Sequence, residues 1–283
     1  MRSGVLRGTV GVLLLAVLAV GAVAALLTWA VPERVSETCV ATLDDGTRQS
    51  LDADQADNAA LITAVTVRRG LPARAATIAL ATAVQESKLR NIDYGDRDSL
   101  GLFQQRPSQG WGTAEQVMDP LYSTNAFLDG LVTVPDYTEL PVTEAAQRVQ
   151  RSAFPDAYAD HEPEGRAFAS ALTGHSPAAL TCRLPMPDDD DGAAAAVLAR
   201  LEQDFGIAAD TEGGAVVVDP SELGDDAERL AWAVGQWAVA TAHSTGVTTV
   251  EVAGQVWRRA DGNDAAWQPA DGNAPATAIV RIT

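Results

Sequence analysis

The sequence predicts a mainly α-helical domain and a small C-terminal α/β domain, both following an N-terminal transmembrane helix. Residues 8–31 contain no charged side chain and are long enough to cross a bilayer. Helix-capping signals and helical apolar spacing recur across residues 39–184. Across residues 193–283 the apolar pattern alternates between helical and strand-like segments, which is typical of an α/β domain.

The apolar segment 8–31 is the first element along the chain. At about 1.5 Å per residue its length matches a hydrocarbon core of about 30 Å. Arg2 and Arg7 precede it, so the positive-inside rule places residues 1–7 in the cytoplasm and the later residues outside the plasma membrane. The alternative is a cleaved signal peptide, whose apolar region would usually be shorter, about 7–15 residues. Residues 32–38 then form a polar tether.

The charge balance and the cysteines restrict the classes of function. A net charge of -18 repels phosphate backbones, so we expect no nucleic-acid partner. Outside the cell, Cys39 and Cys182 are expected to form a disulfide; the alternative is two unrelated buried thiols. Neither cysteine has the neighbouring spacing of a metal or redox site. We therefore predict no metal and no cofactor.

The first domain, residues 39–184, is predicted to consist of helices. A proline at the first turn, a glycine stop or a Thr-x-x-Gln capping box marks several of their ends. The expected helices are Asp52–Arg69, Pro72–Asn91, a helix interrupted at Asp119-Pro120 that runs from Thr113 through Leu131, Glu144–Ala153 and Pro163–Leu172. No strand is expected between Cys39 and Cys182.

Residues 185–192 are rich in proline and aspartate, which favours an extended, solvated linker over a calcium site. In the α/β domain beyond it, helices are predicted over Ala193–Phe205 and Asp225–His243. Strands are predicted over 215–218, 247–252, 255–259 and 277–282. Its tryptophans, Trp232, Trp237 and Trp257, are expected in the core.

Glu86 is the candidate catalytic residue. Ile78, Thr82 and Glu86 are four residues apart, so they share a helix face that is mainly small and apolar. Such surroundings raise the pKa of a carboxyl group and allow it to act as a general acid on a glycosidic bond. The alternative is an ion pair with Arg90 on a solvated helix end.

The residues after Glu86 resemble the soluble lytic transglycosylase branch of the lysozyme-like superfamily. Glu86-Ser87 is followed by Gly101-Leu102-Phe103-Gln104, and that family carries Glu-Ser, then Gly-Leu-Met/Phe-Gln, then Ala-Tyr-Asn. The resemblance implies a helical fold with a cleft for peptidoglycan glycan strands. Glu86 would be the general acid and then the base, supported by Ser87. Gly101 would let the backbone approach the sugar, and Gln104 would line the cleft.

The resemblance is closer to an actinobacterial membrane-anchored lysozyme-like protein. The segments 93–99, 101–107, 110–113 and 150–158 match that group's pattern. The chain departs from the wider family after Tyr158, where Ala159 occupies the position of the asparagine. Tyr158 is expected either beside Glu86 or as a core tyrosine.

Two further features bear on the chemistry of the cleft. Asp93, Asp96 and Asp98 follow Glu86 in a loop, where one of them is a possible second carboxylate; each is otherwise a loop-capping residue. Trp111 lies between two glycines and is expected either to stack on a sugar ring or to pack in the interior.

These features leave three hypotheses for function. The first is a membrane-anchored muramidase or lytic transglycosylase. The second is a catalytically inactive, peptidoglycan-binding protein of the same fold. The third is a cell-envelope scaffold that recruits a protein partner through residues 193–283, a segment that resembles a small α/β domain of actinobacterial wall proteins.

Overall fold

The computed structural model describes residues 35–152, 156–188, 193–270 and 278–283. The predicted membrane segment 8–31, the residues before it and most of the tether therefore lie outside the described residues, as do Asp189, Asp190 and Asp191 of the predicted linker. Within the described ranges, no helix combines the length and the apolar character needed to span a membrane.

The helical part begins and ends in a three-stranded antiparallel sheet, so the expectation of no strand between Cys39 and Cys182 was wrong. The strands are β1 (Thr38–Thr42), β2 (Arg48–Asp52) and β3 (Leu180–Arg183), in the order β2-β1-β3. Cys39 lies directly opposite Cys182 in this sheet, and the two form the predicted disulfide. Strands this short contain too few residues to show a clear alternating pattern in the sequence. Their stability comes from pairing with residues far along the chain.

The helices between these strands largely follow the predicted capping signals. Their bounds are Ala53–Arg68, Ala73–Ser87, Ala114–Met118, Pro120–Val132, Val142–Gln150 and Glu162–Leu172. Asp52 and Gln55 form a reciprocal capping box at the first helix, and Thr113 and Gln116 form the predicted one. The predicted helix Pro72–Asn91 ends early, at Ser87, because Lys88 adopts a left-handed conformation.

The C-terminal part has the predicted α/β character. Its helices are Ala193–Phe205, Ala227–Ala240 and Ala242–Thr245. Its strands are β4 (Asp210–Glu212), β5 (Ala215–Val218), β6 (Thr249–Val252), β7 (Gln255–Arg258), β8 (Gln268–Pro269) and β9 (Val280–Ile282), which form an antiparallel sheet in the order β4-β5-β9-β6-β7-β8. The C-terminal strand β9 thus lies inside the sheet, between β5 and β6.

The helical and α/β parts share one hydrophobic core, and residues 36–283 form a single compact unit. Gln236 is fully buried in the Ala227–Ala240 helix; its side chain accepts a hydrogen bond from Leu180 N and donates to Ala171 O. Trp257, also fully buried, donates to Cys182 O at 3.2 Å. Because buried polar groups need hydrogen-bond partners, these contacts specify how the two parts dock.

A largely buried cluster of charged side chains also joins the helical part to the α/β part. The Arg200 guanidinium bonds Asp204, which is fully buried, and also bonds Asp57 of the Ala53–Arg68 helix at 2.9 Å. The Trp237 indole donates to the same Asp204 carboxylate. Buried charges that are fully paired in this way are costly to separate, so the helical part is held against the C-terminal part by polar as well as apolar contacts.

Candidate functional site

Glu86 lies one residue before the end of its helix, at the boundary between the core and solvent. On the face predicted for it, Ile78 and Thr82 are fully buried, as the helical spacing indicated. The alternative ion pair is not formed, because Arg90 bonds Asp52 and Asp54 instead. The carboxylate of Glu86 therefore has no cationic partner from its own helix.

The hydroxyl of Tyr158 donates a hydrogen bond to Glu86 Oε1 at 2.6 Å. Tyr158 is fully buried and belongs to a short 3₁₀ helix, Ala157–His161. It thus combines the two expectations, since it lies in the core and beside Glu86. Gln150, the last residue of its helix, donates to Phe103 O at 2.7 Å, and its side chain also lowers the pKa of Glu86.

Burial raises the pKa of Glu86, and the hydrogen bonds from Tyr158 and Gln150 partly oppose that rise. Burial, followed by the nearby charge of Glu86, raises the pKa of Tyr158. Tyr158 therefore remains a hydrogen-bond donor, while Glu86 is able to hold a proton at a higher pH than an exposed glutamate. This is the electrostatic state that a general acid needs.

The Gly101 turn forms the wall next to the Glu86 helix. The single proton of the Ser87 hydroxyl is shared between Leu102 O, at 2.8 Å, and Ala83 O, so the hydroxyl joins the helix to the turn and is not directed at the Glu86 carboxylate. Gly101 has φ of 77°, and a Cβ there would lie 2.3 Å from Val117 O. Its glycine is therefore required by packing inside the protein.

A close helix crossing sets the position of Tyr158. The helix Glu162–Leu172 follows Tyr158 directly and packs against the Glu86 helix. At Gly165 a Cβ would lie 2.8 Å from Thr77 O, so the absence of a side chain permits this approach. The 3₁₀ helix that carries Tyr158 leads into this crossing and is thereby held next to Glu86.

Glu86 faces an open cavity of about 430 Å³, also lined by Gln104 and Trp111. A second cavity has a volume of about 630 Å³. The two cavities share the lining residues Gln109, Trp111, Gln150 and Arg151, so they are adjacent, and together they are called the cleft below. Trp111 is half-buried, packs against the core and also lines the cleft, which combines the two expectations for it.

The three loop aspartates have different surroundings. Asp98 bonds Arg106 and both the N–H and the hydroxyl of Ser108, and these bonds hold its pKa far below the usual range. Asp93 is exposed and does not line the cleft. Asp96 lines the cleft but is highly exposed. Of the three, only Asp96 is available as a second carboxylate.

Sequence reasoning did not select Gln150 or Arg151 as site residues. Both were part of the matched segment 150–158, which was the available signal, yet neither has a recognisable chemical role without the fold. Arg151 ends the helix in a left-handed conformation and lines both cavities of the cleft. Arg97, from the aspartate loop, lines the cleft as well.

Among the described residues, no group of histidine, cysteine, aspartate or glutamate side chains is arranged to hold a metal ion. Comparison with models of known protein families finds no match, and no curated protein is similar to the chain at a significant level.

Replacing Tyr158 with phenylalanine is expected to raise the pKa of Glu86 further, because the variant loses a donor that favours the carboxylate while burial persists. The free energy of unfolding should fall by about 1–2 kcal/mol at neutral pH. A ¹³C-carboxyl NMR titration measures the pKa, with the Glu86 signal assigned by its loss in Glu86→Gln. Tyr137→Phe is the matched control, since Tyr137 does not line the cleft. An unchanged or lower Glu86 pKa in Tyr158→Phe contradicts the prediction.

Proposed function

We propose that this protein cleaves peptidoglycan glycan strands as a lytic transglycosylase or muramidase, with Glu86 as the catalytic acid and base. The observation that carries the proposal is a largely buried carboxyl group with a raised pKa, held by Tyr158 and open to a groove. In the same proposal, residues 8–31 anchor the chain in the plasma membrane, with the catalytic part facing the cell wall. The motif Glu86-Ser87 with Gly101 to Gln104 supports peptidoglycan as the substrate.

The reaction begins with protonated Glu86 donating its proton to the glycosidic oxygen between N-acetylmuramic acid and N-acetylglucosamine. The bond from C1 of the muramic acid to this oxygen breaks, and positive charge develops at C1. Glu86, now a carboxylate, accepts a proton from the nucleophile that attacks C1. If the nucleophile is the sugar's own C6 hydroxyl, a 1,6-anhydro ring forms; if it is water, a reducing end forms.

The surroundings of the aspartates favour the transglycosylase route. A glycosidase with two carboxylates needs the second at a defined separation from the acid. Asp98 is committed to Arg106 and Ser108, and Asp93 does not line the cleft. The N-acetyl group of the substrate assists at C1 in the intramolecular route, which needs no second carboxylate.

The test is to incubate the purified full-length protein with peptidoglycan and to determine the masses of the soluble products. We expect anhydro-muramyl ends, each lighter than a reducing end by one water. Asp96→Asn should leave the release rate within about twofold of wild type, because Asp96 has no catalytic step in this route. Reducing ends together with a large loss in Asp96→Asn would support a two-carboxylate muramidase instead.

The alternative function is a peptidoglycan-binding protein without turnover. It is favoured by Ala159, which follows Tyr158 where the resembled family has asparagine. Binding of peptidoglycan, with product release at background level in the wild type, would support this alternative. The scaffold hypothesis instead requires loss of a protein partner when the surface of residues 193–283 is altered, with peptidoglycan binding intact.

A further inference from the structure

We infer that the cleft selects peptidoglycan carrying free carboxylates, which Arg97 and Arg151 bind in the same cavity lining as Trp111. This inference rests on the proposed function, because it concerns the substrate of the same cleft. It adds a chemical requirement, namely a negatively charged substituent on the glycan strand or on its attached peptide.

The lining of the Glu86 cavity differs in charge from the rest of the chain. The whole chain has a net charge of -18, yet the lining of the Glu86 cavity contains three arginines, Arg97, Arg106 and Arg151. The acidic residues in that lining are Glu86 and Asp96. An arginine-rich groove within an acidic protein attracts anions locally, while the remaining surface repels them.

The arginines of the cleft differ in how they are paired. Arg106 bonds Asp98 at 2.8 Å, and Arg148 of the second cavity forms an ion pair with Glu144. Among the described residues, the ion pair of Arg97 is a 3.8 Å contact with Asp96, in which both side chains are largely exposed. Arg151 forms no ion pair with any residue that the structure describes. Arg97 and Arg151 are therefore the lining cations with charge available for a ligand.

Arg97 and Arg151 share an uncommon backbone conformation. Arg97 has φ of 59° and Arg151 has φ of 53°, in the left-handed region that non-glycine residues rarely adopt. Such conformations carry a cost of about 1 kcal/mol or more and persist where the surrounding structure enforces them. Both residues line the cleft: Arg97 lies in the aspartate loop, and Arg151 lies at a helix end.

The chemistry of peptidoglycan supplies the matching group. Muramic acid carries a lactyl carboxyl group, which is free when no peptide is attached, and stem peptides carry free carboxylates. A guanidinium group binds a carboxylate through two parallel hydrogen bonds, an arrangement that lysine does not reproduce. Trp111 lines the same cavity as the two arginines and offers an apolar face for a sugar ring.

The experiment measures equilibrium binding in a Glu86→Gln background, so that the probes are not consumed. The probes are purified peptidoglycan, the same material with its carboxylates converted to neutral amides, amidase-treated glycan strands without peptides, and chitin. The variants are Arg97→Gln, Arg151→Gln and the double variant that carries both substitutions. The matched control is Arg48→Gln, an exposed arginine of β2 that does not line the cleft.

For native peptidoglycan, we expect the double variant to bind about 10-fold more weakly than the parent, and Arg48→Gln to bind like the parent. Converting the carboxylates of the probe to amides should also weaken binding by the parent about 10-fold. The arginine substitutions should not change binding of amidated peptidoglycan or of chitin. Added salt should reduce the difference between parent and double variant, because the arginines are solvent-accessible. Arginine dependence with peptide-free strands identifies the lactyl carboxylate; dependence only with intact material identifies the stem peptide.

The inference is overturned if the double variant binds native peptidoglycan like the parent, or if amidated peptidoglycan binds as well as the native material. Absence of binding to every probe also overturns it. None of these results decides the proposed function, which depends on products released by the wild type. Conversely, arginine-dependent binding without any product release would retain the inference and reject turnover.

Discussion

Glu86→Gln is expected to reduce the release of soluble glycan fragments from peptidoglycan about 1,000-fold. Glutamine keeps the shape of the side chain and can still accept the hydrogen bond from Tyr158, but it has no proton to give to the leaving oxygen. The measurement compares initial release rates of wild type and variant by mass analysis of the soluble products.

The same substitution is expected to stabilise the protein at neutral pH. In the folded state burial raises the pKa of Glu86 above its ordinary value of 4.5, so folding favours the protonated form. The contribution of Glu86 to wild-type stability is therefore fully present below about pH 4.5 and is lost as the pH rises through the folded pKa. Glutamine does not titrate, so the advantage of the variant should appear above that range, as measured by denaturant unfolding at several pH values.

Glu164→Gln is the control for both effects. Glu164 is also partly buried with a raised pKa, but it does not line the cleft. Its substitution should affect stability in the same direction and leave fragment release unchanged. Equal release by wild type and Glu86→Gln would eliminate Glu86 as the catalytic acid. Lower stability of Glu86→Gln at pH 7 would contradict the electrostatic argument.

Removing the disulfide with Cys39→Ser and Cys182→Ser is expected to lower the free energy of unfolding by about 5 kcal/mol. The bridge joins residues 143 positions apart, and the loss of chain entropy in the unfolded state grows with the length of the closed loop. Since small proteins are stable by only about 5–15 kcal/mol, this is a large fraction of the total.

Urea unfolding of the wild type and the double variant measures this difference. Reductant should lower the stability of the wild type and leave the double variant unchanged, because the sequence contains no other cysteine. A loss below about 1 kcal/mol would indicate that sheet pairing and the shared core already restrict the chain ends.

Several elements were predictable because their signals are local. Asp52, Pro72 and Thr113 mark helix starts through an acidic residue at the helix start, a fixed proline φ and a Thr-x-x-Gln capping box, and each of these signals depends only on neighbouring residues. The turn at Ala253-Gly254 between β6 and β7 is local in the same way. The strands of the Cys39–Cys182 sheet were missed because their pairing joins distant parts of the chain.

The candidate site likewise combines features with local sequence signals and features that depend on distant contacts. Glu86 could be selected as the candidate acid because its helix face and the following motif are both read within about 20 residues. The positions of Gln150 and Arg151 in the cleft lining and the bonds of Asp98 could not be predicted, because they follow from contacts between segments. Asp98 is a clear example: as a loop aspartate it was a possible catalyst, and its bonds to Arg106 and Ser108 assign it to loop structure.

The sequence by itself determined the helical framework, the candidate acid Glu86 and the cysteine pair, because spacing, capping and residue chemistry act over short distances. Only the tertiary structure decided that Tyr158 contacts Glu86, that Ser87 bonds the Gly101 turn and that the two parts of the chain share one core. The physical reason is burial. The protonation and pairing of a side chain depend on what covers it, and the covering groups come from residues far away along the chain.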